Sequence, residues 1–283
     1  MLIRKFLFNL LCVLFMGCAM IGLVFGNSST SFAAGNAETI SADGYGVLPS
    51  GIGIGRAKAM ARRAAVVDAQ RNLVETIQGT AVDSETTVNN FMLTDDVIKT
   101  KVSGLIKGAV VKTEEVTEDG LYHVVMEVPV YGVGSVADIA YNAVLGNSEP
   151  VKIPEVSTDF YDNYVPDISG FSGLVIDATD SELEKTFCPA IYDTNGRAIY
   201  GIHNVDKNYA IVNGVVEYLD NNANAAYFNT RAGSNPMIIK IVGLKPRVVN
   251  KCDVIISVED ANKLLAENQR TKFLDRYAVV FMK

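Results

Sequence analysis

The sequence predicts an α+β protein in two parts: a two-layer domain of two helices on an antiparallel sheet, followed by a β-rich α+β second domain. Three observations carry that prediction. An alanine-rich stretch from Arg56 to Gln78 repeats its apolar residues at helical spacing. A turn signal, Glu118-Asp119-Gly120, separates two strand-like runs, Val110 to Thr117 and Leu121 to Val130. The stretch Asn147 to Ser157 holds two prolines and no aromatic residue, and the chain beyond Ser157 is rich in Asn, Tyr and short β-like runs. The expected organisation is therefore a domain over 35–146, a linker over 147–157 and a second domain over 158–283.

The elements of the first part can be justified in order. Ile40 to Val47 reads as a strand ending in Gly44-Tyr45-Gly46. In the long helix, Ala61, Ala65, Val66, Ala69, Leu73 and Ile77 fall within an arc of about 160° at 100° per residue, so one broad face is apolar. Alanine at successive turns means that this helix approaches its sheet closely. Thr80 to Val88 looks extended. Thr94 reads as the N-cap of a second helix, with Asp95 and Asp96 in the first turn, where the helix dipole favours anions. Ile98, Val102, Leu105 and Ile106 form its buried stripe, and Gly108 is its stop. In the hairpin after Gly108, Tyr122, Val124, Met126 and Val128 share one face.

In the second part, Gly173 to Ala178 is a candidate strand. Ala190-Ile191-Tyr192 and Ala198-Ile199-Tyr200 flank a turn marked by Asn195-Gly196. Gly214 to Tyr218, Met237 to Val242 and Val254 to Ser257 are further strands. Ser257 caps a helix, with Asp260 three residues on and Ala261, Leu264 and Leu265 at helical spacing. Tyr277 to Met282 ends the chain as an apolar strand.

Ahead of all this stands a targeting segment. Arg4 and Lys5 precede an uncharged run of 21 residues, Phe6 to Gly26, and Ser31-Phe32-Ala33 presents small residues at the −3 and −1 positions of a signal-peptidase site. Residues 1–33 are read as a signal peptide cleaved before Ala34. The alternative is a retained membrane anchor, since as a helix the run covers roughly 31 Å, enough to span a bilayer. Lipidation at Cys18 is a third option: Met16-Gly17-Cys18 ends like a lipobox, although Phe15 stands where Leu is preferred and apolar residues follow the cysteine. Each reading exports the rest of the chain, to the periplasm or the cell surface, with membrane contact only through a retained N-terminal segment.

Composition narrows the function classes. The chain has 283 residues, 49% hydrophobic and 20% charged, with a net charge of −7. The apolar content excludes a disordered chain, and the single long apolar run excludes a multi-span membrane protein. After residue 33, 23 basic and 32 acidic side chains remain, a net charge of −9. That balance argues against a general nucleic-acid binder, which needs a basic surface to displace phosphate counterions. Two cysteines remain, Cys188 and Cys252, in an exported context where disulfides persist. A bond between them would close a 65-residue loop, worth about 4 kcal/mol on the chain-entropy account. The other reading is two buried free thiols.

Residues Ala61-Arg62-Arg63-Ala64-Ala65-Val66-Val67-Asp68-Ala69-Gln70-Arg71-Asn72-Leu73 resemble the central helix of the LPP-twenty lipoprotein family. Ile106-Lys107-Gly108-Ala109 and Tyr122 to Val130 continue the likeness, which covers roughly residues 40–132. The pattern is also similar to the N-terminal domain of flagellar assembly protein T. The second half resembles the C-terminal region attached to LPP-twenty-like domains in exported proteins. The resemblance implies an envelope lipoprotein or a periplasmic flagellar component, with no shared catalytic residues.

Chemistry is weakly represented. Gly51, Gly53 and Gly55 precede the long helix, but Arg56 stands where a dinucleotide fingerprint needs glycine, and no Gly-Lys-Ser/Thr ending marks a nucleotide loop. His123, Cys188, His203 and Cys252 show none of the close pairings of zinc sites. Gly170-Phe171-Ser172-Gly173 misses a nucleophile elbow by one residue. Asp177, Asp180 and Glu182 cluster after a strand and would serve an exported hydrolase if they converged in a cleft. Arg56, Lys58, Arg62 and Arg63 form the one basic patch, able to dock anionic lipid or a partner's carboxylates. The expectation is a non-enzymatic, structural or partner-binding envelope protein without metal or cofactor, its partners envelope proteins of open identity. A flagellar component and an exported hydrolase are the alternatives.

Overall fold

The computed structural model describes residues 38–156, 160, 164–165, 168, 170–220, 230–246 and 248–283. The expected targeting segment 1–33, Cys18 included, lies outside them, as does Ser157 of the expected linker. The described residues form one compact unit.

β1 (Thr39–Val47) pairs antiparallel with β3 (Leu121–Pro129), which pairs antiparallel with β2 (Val110–Val116), giving the order β1-β3-β2. Gly120 turns the hairpin at a φ of 75°, a conformation that glycine adopts without steric cost. α1 (Ile54–Gly79) lies across one face of this sheet. Ala57, Ala61, Ala65, Ala69, Leu73 and Ile77 are its buried residues, one every four positions. Such a row drifts about 40° per step at 100° per residue, so the contact line winds around the helix as it crosses the twisted sheet. Opposite the alanines, β1 offers Gly44 and Gly46. A Cβ on Gly44 would sit 2.2 Å from both Ala65 O and Ala69 N, and one on Gly46 would sit 2.0 Å from Ala61 O. Strand and helix backbones touch here, and only glycine on the strand fits.

Two expectations fail between α1 and β2. Thr80 to Val88 is not an extended strand. It doubles back through a single bridge between Ala81 and Thr87, because Asp83 Oδ1 accepts from Glu85 N and Thr86 N, each at 2.8 Å, and holds a turn. Thr94 is not an N-cap but the last residue of a short helix, α2 (Val88–Thr94). The cap belongs to its neighbour Asp95, whose side chain accepts from Val97 N at 2.7 Å and starts α3 (Asp96–Lys107). Ile98, Val102 and Ile106 are buried as expected, and Gly108 ends the helix. α4 (Val136–Leu145) is an addition: Ser135 caps it through Asp138 N. The described residues of the first part thus hold four helices rather than two.

The second part contains two more sheets. β4 (Gly173–Asp177), β7 (Glu217–Leu219), β8 (Pro236–Lys240) and β11 (Val279–Met282) form the order β7-β11-β4-β8. Every pair in this sheet is parallel. Leu174-Val175-Ile176 and Val279-Val280-Phe281 are fully buried, the continuous apolar runs that parallel strands covered on both faces require. β5 (Ile191–Asp193), β6 (Ala198–Tyr200), β9 (Gly243–Leu244) and β10 (Val254–Ile256) form the order β6-β5-β10-β9, in which β5 and β10 are parallel. α5 (Lys207–Asn213) precedes β7. α6 (Val258–Thr271) starts as expected at Ser257, whose Oγ accepts from Asp260 N at 2.9 Å.

One core runs through both parts. Hydrogen bonds cross between them: Cys188 N donates to Val82 O at 2.7 Å, Gly132 N to Ile211 O at 2.8 Å, and the buried Tyr141 hydroxyl to Phe187 O at 3.0 Å.

Candidate functional site

The outward surface at the start of α1 carries the basic residues singled out in the sequence. Gly51, at a φ of 77°, turns the chain out of β1, and the helix begins after Gly53 without a side-chain cap or an acidic residue in its first turn. Gly51 and Gly53 therefore form an open turn and Gly55 falls in the first turn of the helix, with nothing close to where a Cβ would stand on any of them. Arg56 occupies the first turn, where the exposed N–H groups and the helix dipole disfavour a cation.

The structure divides the expected patch. Arg56 and Arg63, seven positions apart, share one flank of the helix with Met60 and Val67, which are 50% and 57% exposed. Lys58 and Arg62, four positions apart, lie on the other flank, with the buried alanines between the two. Arg62 is already engaged: its Nε donates to Glu114 Oε2 of β2 at 2.6 Å, and that carboxylate raises the pKa of its guanidinium. Among the described residues, no carboxylate lies within ion-pairing distance of Arg56, Lys58 or Arg63. All three are exposed.

The other candidate groups stay apart. His123 points to the sheet face away from α1, its Nε2 2.7 Å from Asp43 Oδ1 and its ring stacked on Tyr45 at 4.7 Å. His203 lies on a short helical turn, Ile202–Asn204, and borders a cavity of about 520 Å3 that Cys188 and Asp253 also line. Cys188 and Cys252 are free, buried thiols rather than a bonded pair. Burial pushes Cys188 well above the ordinary thiol range and Cys252 up to about 12. A thiol nucleophile needs the opposite shift. Asp177 is spent on its own turn, accepting from Thr179 N and Oγ1. Asp180 pairs with Lys240 at 2.6 Å on the surface, and Glu182 pairs with Lys251. None of the three lines the cavity beside His203. Among the described residues, no three His, Cys, Asp or Glu side chains come together as a metal-binding group, and no helix is long and apolar enough to cross a membrane. The cavities themselves escaped sequence reasoning, because residues from many separated segments line each of them.

Fold and surface together define a chain with a helix-on-sheet domain, cationic on the outer turns of its long helix, joined through one core to a β-rich α+β region. Residues 48–129 of this chain match the LPP20 lipoprotein family, and residues 173–283 match the second domain of Treponema pallidum Tp0624. Curated proteins show no match to it. The resemblance to flagellar assembly protein T has no counterpart among these matches.

Proposed function

We propose that this is a non-enzymatic, exported protein of the cell envelope that holds an envelope partner through the outer face of α1. The match of residues 48–129 to the LPP20 lipoprotein family supports the location. The observation that carries the binding role is the flank formed by Arg56, Met60, Arg63 and Val67: two cations with no carboxylate in pairing distance among the described residues, beside two exposed apolar side chains. Arg56 also sits where the helix dipole opposes it, a local cost with no structural return. A partner surface offering carboxylates and a small apolar patch complements this flank.

The mature chain begins at Ala34 in this reading. N-terminal sequencing of envelope-fraction protein checks it: an intact Met1 means a retained anchor, and a blocked Cys18 means lipidation. For the binding role, the mature protein is cross-linked in envelope extract beside the double variant Arg56→Gln/Arg63→Gln and the single variant Arg62→Gln. The double variant should lose the captured partner severalfold at an unchanged melting temperature, and Arg62→Gln should keep it. Equal capture by all three proteins would remove the binding role from this face.

A further inference from the structure

The start of β1, the last turns of α1 and the chain around Tyr131 meet segments of the second part around a half-open cavity of about 420 Å3. That volume lies within the range of small-molecule sites, roughly 300–1,000 Å3. It is distant in sequence from the outer N-terminal face of α1 and does not depend on the role proposed for that face. Its wall is aromatic: Tyr131 and Phe187 meet edge to face with centroids 6.1 Å apart, and Tyr218 stands beside them. Ile40, Val130 and Val216 add aliphatic surface.

The polar groups of the lining are mostly committed. Tyr218 Oη accepts from Thr186 N at 3.2 Å and donates to Thr186 O at 3.3 Å. Arg231 donates to Gly214 O at 3.2 Å and to Asn213 O, and its Nε lies 3.8 Å from Glu217. Lys185 faces Asp220 at 3.7 Å. Both cations of the lining therefore have their anions, while the exposed Glu38 carboxylate is in no described ion pair. An anionic guest would meet that carboxylate with no free cation to balance it. Two hydroxyls of the lining have no described partner; that of Thr186 is fully buried, which leaves the Tyr131 hydroxyl for a guest. The Tyr131 hydroxyl lies against Gly214, within 3.2 Å of where a Cβ there would stand, and no described residue accepts its proton. Gly214 takes a φ of 74°, so glycine is needed there twice, for its backbone and for the room it leaves the tyrosine. Burial holds the Tyr131 phenol up at about 12, so it remains a donor at neutral pH.

We infer that this cavity binds a small neutral molecule with an apolar body and one hydrogen-bond acceptor, the acceptor meeting the Tyr131 hydroxyl. The aromatic wall supplies the apolar contact, and the Tyr131 donor sets the guest's orientation.

The test uses Nile red, a neutral dye whose carbonyl is an acceptor and whose emission shifts to the blue in apolar surroundings. 1-Anilinonaphthalene-8-sulfonate serves as its anionic counterpart. The full mature chain should take up Nile red saturably at one site, and the anionic dye at least tenfold more weakly. Tyr131→Phe keeps the ring and removes the donor, and should weaken Nile red about threefold to tenfold, the worth of one hydrogen bond. Thr76→Trp places a large ring at the cavity wall from an exposed helix position, and should weaken it tenfold or more. The chain has no other tryptophan, so the emission of that residue also reports whether the variant is folded. No saturable uptake by the wild type overturns the inference. So does uptake that neither variant weakens, or equal affinity for the anionic dye.

Discussion

Cys188 and Cys252 show how far a residue's chemistry is set by its surroundings. Both are buried, and the neutral thiol is the form that the interior tolerates. Cys252 is held at about 12 against an ordinary value of 9.0, and burial pushes Cys188 well above that ordinary value too. Tyr131 moves the same way, from 10.0 to about 12. Between pH 9 and 12 the unfolded chain loses these protons while the folded chain keeps them, so folding stability is complete below pH 9 and falls as the pH rises. The melting temperature should therefore hold from pH 7 to 8.5 and drop steadily above 9. Iodoacetamide at pH 8 should label neither thiol until the protein is unfolded, which mass spectrometry can track. Rapid labelling of the native chain would mean that one thiol is exposed. Sequence reasoning left bond and free thiols both open, because residue spacing says nothing of the separation between two side chains. It read the four basic residues as one patch for a related reason. Only the path of the buried stripe shows that Arg56 and Arg63 stand on one flank and Arg62 reaches across to Glu114.

The contact between α1 and β1 is the tightest in the molecule's first part, and it is built from the smallest side chains. Ala61, Ala65 and Ala69 meet the backbone at Gly44 and Gly46. Gly44→Ala would drive its Cβ into Ala65 O and Ala69 N, both backbone, and should cost about 3 kcal/mol, the upper part of the overpacking range. Ala69→Leu overpacks the same seam from the helix side and should cost roughly 1–3 kcal/mol. Arg63→Ala, on the outer face, should change stability by less than about 0.5 kcal/mol. Urea unfolding with an unchanged m-value checks all three, and a loss at Arg63 equal to that at Ala69 would mean the faces are assigned wrongly. Periodicity exposed this element well: the helix expected over 56–78 spans Ile54–Gly79, and the strand expected from Ile40 begins at Thr39. It was silent on α4, where Val136, Ala137, Ile139, Ala140, Tyr141 and Leu145 are all buried and the polar side is reduced to Asp138 and Asn142. It was silent on α2 because seven residues are too few to show one.

At the scale of the whole molecule, the Pro-rich stretch marks a change in composition, while the core runs through both parts. Tyr141 belongs to the first part, yet its hydroxyl donates to Phe187 O, and Val82 O accepts from Cys188 N. Expressed alone, residues 35–146 keep the sheet and α1 but lose these contacts. The fragment should melt cooperatively, at a lower temperature than residues 34–283; a non-cooperative melt beside a cooperative one for the longer chain would mean that the first part depends on the second. Local pattern was enough for the α+β class, the long helix, both turn-marked hairpins and the cap at Ser257, since each rests on residues within a few positions of one another. The parallel order β7-β11-β4-β8, the shared core, the split of the basic residues and the cavity at Tyr131 were decided only by the tertiary structure. Each joins segments tens to more than a hundred residues apart. An apolar run declares that it is buried, but which run lies beside it, and in which direction, is settled only when the chain packs.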